Sequence, residues 1–152
     1  MEPKQAADAS QGTVWYFGFG SNMKSTTMTS RGIKILDKKV VKVPSHILTF
    51  DVFGLAYSEP SMASIAKYTY SAPVDNDDIR DRPPDVHGVA FHITAADLTR
   101  LIASEGGGVA YREIMIAGVP LDDGPIISMY ALTAKYPRRP NAAPSARYLV
   151  CA

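Results

Sequence analysis

The strongest chemical signal in the sequence is a glycine-rich segment, YFGFGSNM, at Tyr16–Met23. It overlaps an apolar run from Val14 to Phe19, which predicts a strand, and it precedes a polar stretch from Lys24 to Ser30, which predicts a short helix. A strand, a tight turn and a helix start leave backbone N–H groups pointing outward, and such groups bind carboxylate or phosphate. Two glycines in the segment would allow a ligand close to the main chain. An ordinary turn is the other interpretation of the same spacing.

A second chemical signal lies at the end of a helix predicted from Ala95 to Glu105. Thr94 is expected to cap the N-terminus, and Asp97 follows three residues later, as in a capping box. Gly106 comes next and predicts the end of the helix.

This helix matters because of where it places Glu105. Leu98, Leu101 and Ile102 form its apolar stripe, and Glu105 falls four residues after Leu101, on the same stripe. A carboxylate there is either partly buried against a cavity or bent out into water. In the first case desolvation disfavours the ionised form, so the group could serve as a base or an acid near neutral pH. The glycines at 106–108 would let a substrate come close.

Other candidate groups give weaker signals. His87 and His92 are five residues apart in one predicted strand and therefore face opposite sides, and His46 is isolated, so no metal site is expected. The acidic run at Asp75–Asp78 does not fit a calcium-binding loop, and it is expected to be solvated. Cys151 lies next to the last residue, which argues against a pre-organised nucleophile.

Composition restricts the broad class. The chain has 152 residues, of which 46% are apolar and 20% charged, and its formal net charge is +1. These values indicate a globular protein and argue against partners such as nucleic acid or a membrane surface. With a single cysteine, no internal disulfide is expected, and a reducing compartment is favoured. No apolar run approaches the roughly 20 residues that span a bilayer.

The elements that must position these groups are mostly short strands. Residues 1–12 are interpreted as a flexible N-terminal tail, and residues 13–152 as one domain. Two loops are expected, at 54–61 and 71–85. The predicted strands are Val14–Phe19, Val40–Val43, His46–Phe53, Met62–Tyr70, Val86–Ile93, Tyr111–Ile116 and Ile126–Ala134. Many strands and few helices favour an α+β fold, with a small sheet or barrel and helices at one side.

Four segments together resemble the γ-glutamylcyclotransferase-like family. They are YFGFGSNM at 16–23, VHGV at 86–89, SEG at 104–106 followed by Tyr111-Arg112, and PSARY at 144–148. The first is close to the family's motif Y-x-G-x-G-S-N, and the order and spacing match from about Val14 to Tyr148. The resemblance implies the family's fold, a small mixed β-barrel flanked by helices.

The resemblance also implies a cytosolic enzyme that releases 5-oxoproline from a γ-glutamyl amine or amino acid, without cofactor or metal. Glu105 takes the place of the catalytic glutamate. The residues carried over to substrate binding are Phe17, Gly18, Phe19, Gly20, Ser21, Asn22, Met23, Tyr130 and Tyr148. The two tyrosines are also typical of core or rim positions. Similar proteins usually continue through a further helix, and without it the barrel could require a partner subunit, which leaves a homodimer open.

The chemistry that these groups could perform is proton transfer. Glu105 would take a proton from the substrate's amine, so that this nitrogen attacks the γ-carbonyl, and would then deliver it to the leaving amine. Two other interpretations remain open. The same scaffold could catalyse a proton-transfer isomerisation or cyclisation of another small molecule, or it could be a binding module that lacks a competent base.

Overall fold

Short strands, with two α-helices between them, make up the part of the chain that the structure describes. The computed structural model describes residues 12–55, 59–68, 84–105, 108 and 110–137. The elements are β1 (Thr13–Gly18), α1 (Ser25–Ser30), β2 (Asp37–Val43), β3 (His46–Leu55), β4 (Glu59–Lys67), β5 (Val86–Thr94), α2 (Ala95–Ser104), β6 (Tyr111–Pro120) and β7 (Ile127–Ala134). A single 3₁₀ turn, Ser21–Met23, connects β1 to α1.

Five of these strands close into a barrel in the order β1-β5-β2-β6-β7. Neighbours pair antiparallel except β1 and β7, which meet in parallel, with Tyr16 opposite Tyr130. The barrel is therefore mixed, and with the two helices it confirms the fold predicted from the sequence. Strands β3 and β4 form a separate antiparallel pair.

The alternation of side chains along the strands divides the core into two clusters. Phe17 points into the barrel, whereas its neighbour Tyr16 points to the outer face, where α1 and α2 pack. The cluster inside the barrel contains Phe17, Val41, Val43, Ile65, Val86, Ala90, Ile116, Ile127, Met129 and Ala131. The cluster under the helices contains Tyr16, Met28, Ile33, Phe91, Ile93, Leu98, Leu101 and Leu132. Tyr16 therefore reaches the helix side of the barrel wall.

Buried hydroxyl groups join the β3–β4 pair to the barrel. Thr133 Oγ1 donates to the Ile65 carbonyl at 2.6 Å and lies 3.3 Å from Ser64 Oγ. The Ala134 N–H donates to the same Ser64 oxygen at 2.7 Å. These bonds hold β4 against the end of β7, which brings Ala63 to the rim of the cavity described below.

Most predicted elements match the observed ones within a few residues, but one loop does not. The loop expected at 54–61 is wrong at both ends, because β3 runs through Leu55 and β4 already begins at Glu59. The Glu59-Pro60 pair signalled a turn, yet a proline is tolerated near the end of a strand or at an edge. The tail at 1–11 and the loop residues 71–83 lie outside the described residues.

The cap of α2 provides a test of local stability. The Asp97 N–H donates to Thr94 Oγ1 at 3.1 Å, which confirms the predicted N-cap. Thr94→Ala should therefore lower the free energy of unfolding by about 1 kcal/mol, because a helix N–H loses its acceptor. Urea denaturation followed by circular dichroism measures the change. Thr94→Ser keeps the hydroxyl and should retain most of the stability; an equal loss in both variants would mean that the methyl group, not the cap, carries the effect.

Candidate active site

A small cavity lies on the helix side of the barrel, where the glycine loop faces the C-terminal end of α2. Its volume is about 50 Å³. The described residues that line it are Tyr16, Phe19, Gly20, Asn22, Ala63, Glu105, Tyr111 and Leu132. The two features singled out in the sequence, the loop and the glutamate, therefore border one cavity.

The loop is compact because β1 passes directly into the 3₁₀ turn. The Met23 N–H donates to the Gly20 carbonyl at 3.0 Å and closes that turn. Gly18 leaves no room for a side chain, since a Cβ there would lie 2.6 Å from the Asn22 carbonyl oxygen. This close approach folds the loop back on itself and buries Asn22, which is only 8% exposed.

The Asn22 side chain links the loop to the glutamate. Its Nδ2 donates to Tyr16 Oη at 3.0 Å and to Glu105 Oε1 at 3.2 Å. Its Oδ1 is buried and has no hydrogen-bond partner among the described residues. A buried, unpaired amide oxygen costs stability, so it is a position where a ligand's N–H or O–H group would be stabilised.

Glu105 is the C-cap residue of α2, and its N–H donates to the carbonyls of Leu101 and Ile102. The carboxylate accepts hydrogen bonds from Asn22 and from Arg31 Nη1, and the contact with Arg31 is an ion pair. The side chains of Arg31 and Glu105 are 27% and 21% exposed, respectively. The glutamate is thus partly buried at the cavity, which is one of the two orientations that its position on the apolar stripe left open.

The Tyr16 hydroxyl is the most deeply buried polar group at the site. Burial raises its pKa above the ordinary value, and the nearby negative charge of Glu105 acts in the same direction. The hydrogen bond from Asn22 opposes this effect but is the smaller influence. Tyr16 therefore stays protonated across the neutral range, and its role is to hold the Asn22 amide in place.

Four contacts fasten the segment after α1 to α2. The Lys34 N–H donates to Asp97 Oδ2 at 3.0 Å, and Arg100 Nη1 donates to the Gly32 carbonyl at 3.2 Å. Arg31 completes the set, with a hydrogen bond to Ser104 Oγ of 3.4 Å and the ion pair to the glutamate. We call these contacts the α1–α2 clamp.

The structure places the predicted site residues in three groups. Phe19, Gly20, Asn22 and Glu105 border the cavity. Phe17 is fully buried inside the barrel. Gly18 shapes the loop as described above, Met23 closes the 3₁₀ turn, and Ser21 belongs to that turn.

The two predicted pocket tyrosines are not among the lining residues. Tyr130 is partly buried on β7 and packs against the cluster under the helices. Tyr148 lies outside the described residues. Both remain predictions.

Several residues at the site were not selected from the sequence: the apolar lining residues Ala63 and Leu132, and three polar or charged residues, Tyr16, Tyr111 and Arg31. Tyr16 is part of the YFGFGSNM segment. Because successive side chains of a strand point to opposite faces, the strand prediction could have placed Tyr16 on the face opposite to Phe17. Tyr111 borders the cavity from β6, and its hydroxyl donates to the Ala63 carbonyl at 3.3 Å. Arg31 has no local signal, because its contact depends on how α1 packs against α2.

The described residues offer neither a cluster of metal ligands nor a membrane-spanning helix. No group of three or more His, Cys, Asp or Glu side chains is arranged to hold a metal ion in the described part of the chain. Among the same residues, no helix has the length and apolarity that crossing a bilayer requires.

The chain is similar to several known protein sequences and, separately, to several solved structures. The gamma-glutamyl cyclotransferase gliK of Aspergillus fumigatus is 45% identical over 157 residues, covering 96% of this chain and 57% of that protein. The gamma-glutamyl cyclotransferase verK of Clonostachys rogersoniana is 40% identical over 146 residues, covering 90% of this chain and 82% of that protein. The chain thus spans little more than half of the first relative and most of the second.

Among solved structures, one described as gamma-glutamyl cyclotransferase superimposes with a TM-score of 0.67 at 19% identity. The match covers 90% of this chain and 74% of that one. At this identity the likeness concerns the fold alone. None of the protein-family models searched matches the chain.

Proposed function

Because this chain belongs to the gamma-glutamyl cyclotransferase family, we propose that it releases 5-oxoproline from a γ-glutamyl amide. In this proposal Glu105 is the proton-transferring residue, and the glycine loop binds the γ-glutamyl group. The substrate is a small molecule, either a γ-glutamyl amino acid, a compound derived from glutathione or another γ-glutamyl amine. The single cysteine favours a reducing compartment such as the cytoplasm.

The observation that carries the proposal is the position of Asn22 between the loop and the base. Its Nδ2 donates to Glu105 Oε1, while its buried Oδ1 has no described partner. The α-amino group of a γ-glutamyl substrate supplies N–H donors, which would satisfy this oxygen. The same group would then lie beside the Glu105 carboxylate, where a proton can be removed from it.

The reaction is an intramolecular displacement at the γ-carbonyl. The α-nitrogen attacks the γ-carbon to close a five-membered ring, and the bond from that carbon to the leaving nitrogen breaks. Glu105 takes a proton from the attacking nitrogen and gives it to the leaving nitrogen. The second proton that the ammonium loses passes through solvent to the departing amine. No covalent intermediate with the protein is required.

The pocket would contribute orientation and charge stabilisation. Ring closure requires the γ-glutamyl chain to be folded so that its two ends meet, and a bound, folded conformer removes much of that entropic barrier. Backbone N–H groups at the compact loop would stabilise anionic oxygens of the substrate, as the start of a helix or a tight glycine turn does.

The experiment is a substrate panel with direct detection of 5-oxoproline. Purified protein should release it from at least one of γ-glutamyl-alanine, glutathione and a γ-glutamyl amine, with the free amine in equal amount. Mass spectrometry of both products over time measures the rate. A folded protein that releases no 5-oxoproline from any of the three would contradict the proposal, and would favour a repurposed scaffold or a binding module.

A further inference from the structure

We infer that Arg31 is a positioning residue that holds one oxygen of the Glu105 carboxylate, so that the other oxygen is presented for proton transfer. This inference rests on the proposed function for its catalytic consequence. Its physical content, an ion pair that holds the carboxylate in one orientation, can be measured without turnover.

The two oxygens of Glu105 have different surroundings. Asn22 Nδ2 and Arg31 Nη1 both donate to Oε1. Among the described residues no hydrogen bond ends on Oε2. A carboxylate held by two donors on one oxygen has a fixed rotation, which leaves Oε2 as the oxygen free to accept a substrate proton.

The position of Arg31 is determined by the fold and not by its own flexible side chain. It is the C-cap residue of α1, and its N–H donates to the Met28 carbonyl at 3.2 Å. Gly32 follows with a φ of 76°, a conformation that turns the chain sharply and that glycine adopts without strain. Two other contacts of the α1–α2 clamp, Lys34 to Asp97 and Arg100 to Gly32, fix this turn against α2. The turn then directs the guanidinium to the C-terminal end of α2, where Glu105 lies.

Arg31 is the cation that contacts Glu105 among the described residues. The other charged side chains of α2, Asp97 and Arg100, pair with each other and with the turn after α1. The guanidinium is thus the charged partner that the fold supplies to this carboxylate, and a hydrogen bond between ionised groups is stronger than one between neutral groups.

The first test is a double-mutant cycle in urea denaturation, with Arg31→Met, Glu105→Gln and the variant that carries both substitutions. If the two side chains hold each other, the losses of stability in the single variants should not add, because each substitution removes the same ion pair. Arg31→Lys should retain part of this coupling. Strictly additive losses would overturn the inference, whether or not the protein is an enzyme.

The second test uses the reaction. Arg31→Met should lower kcat at least about 10-fold with a smaller change in KM, and Arg31→Lys should recover part of the lost kcat. Arg112→Met, which removes the same charge from an exposed site on β6, is the matched control and should change neither kcat nor KM. Equal losses of kcat in folded Arg31→Met and Arg31→Lys would contradict the positioning role.

These measurements separate two failures. If the wild type releases no 5-oxoproline but the substitutions at Arg31 and Glu105 are coupled in stability, the proposed function is wrong and the ion-pair inference stands. If turnover is present and the two substitutions are additive, the inference is wrong and the proposed function stands. Should Arg31→Met fold poorly, Arg31→Lys replaces it in the cycle and in the rate measurement, because it keeps the charge but not the two-pronged guanidinium.

Discussion

Glu105→Gln should lower the rate of 5-oxoproline release by about 10³-fold, while leaving the protein folded. General acid–base catalysis by one side chain contributes about 10²- to 10⁴-fold, and here one group performs both proton transfers. Glutamine keeps the size of the side chain and can still accept the hydrogen bond from Asn22 Nδ2 through its carbonyl oxygen. It cannot take a proton. Initial rates at saturating substrate, with circular dichroism as the folding check, measure the effect.

Glu113 provides the matched control for this substitution. It is an exposed glutamate on β6, and Glu113→Gln makes the same chemical change away from the cavity. It should leave the rate within about 2-fold of the wild type, since an exposed charge far from the reacting atoms has a small and screened influence. A Glu105→Gln variant as active as Glu113→Gln would remove Glu105 from the reaction.

Gly88→Ala should lower the free energy of unfolding by about 3 kcal/mol, because the added methyl group meets rigid neighbours. A Cβ at this position would lie 2.4 Å from the Gly18 carbonyl oxygen and 2.5 Å from Phe17 Cε2. The first contact is with backbone and the second with a fully buried ring, so neither can move without opening the barrel. Denaturation in urea measures the loss, and the rate of 5-oxoproline release should fall with it, because Gly18 shapes the catalytic loop.

Gly118→Ala is the comparison that isolates the reason. A Cβ there would also be crowded, at 2.5 Å from Met129 Cε, but this atom is the end of a flexible side chain. The cost should therefore be about 1 kcal/mol or less. If the two variants lose equal amounts of unfolding free energy, the crowding of the new Cβ determines the cost. The rigidity of the atoms that it contacts would then not matter.

The parts of the site that the sequence predicted are those fixed by local periodicity. Glu105 lies on the stripe of Leu98 and Leu101, and because helical spacing determines a face, the sequence could single out this carboxylate. It left open whether the carboxylate was partly buried or directed into water. The glycine turn after β1 predicted a compact loop for the same kind of reason. The barrel needed more than periodicity, since strands of this length form many folds, and there the family resemblance supplied the topology.

The parts that could not be predicted depend on contacts between distant segments. Arg31 and Glu105 are 74 residues apart, and their pairing follows from the packing of two helices. Asn22 was predicted as a loop residue, but its bond to Glu105 and its unpaired Oδ1 follow from the close approach of β1 and α2. Tyr130 was assigned to the pocket by the family resemblance. It packs against the cluster under the helices, and its place in the pocket stays a prediction.

The parallel contact between β1 and β7 has a consequence for how this protein is made on the ribosome. Strand β1 is synthesised first among the described strands, but one of its two neighbours in the barrel is the last described strand, more than 100 residues later. Bringing such distant segments together is slow, because the entropy of closing a long loop is lost before the new contacts compensate for it. Until β7 emerges from the exit tunnel, β1 has an open edge. For a period the nascent chain therefore contains Asn22, Arg31 and Glu105 while the barrel behind these residues is still open. During that period the chain depends on chaperones more than the finished barrel does.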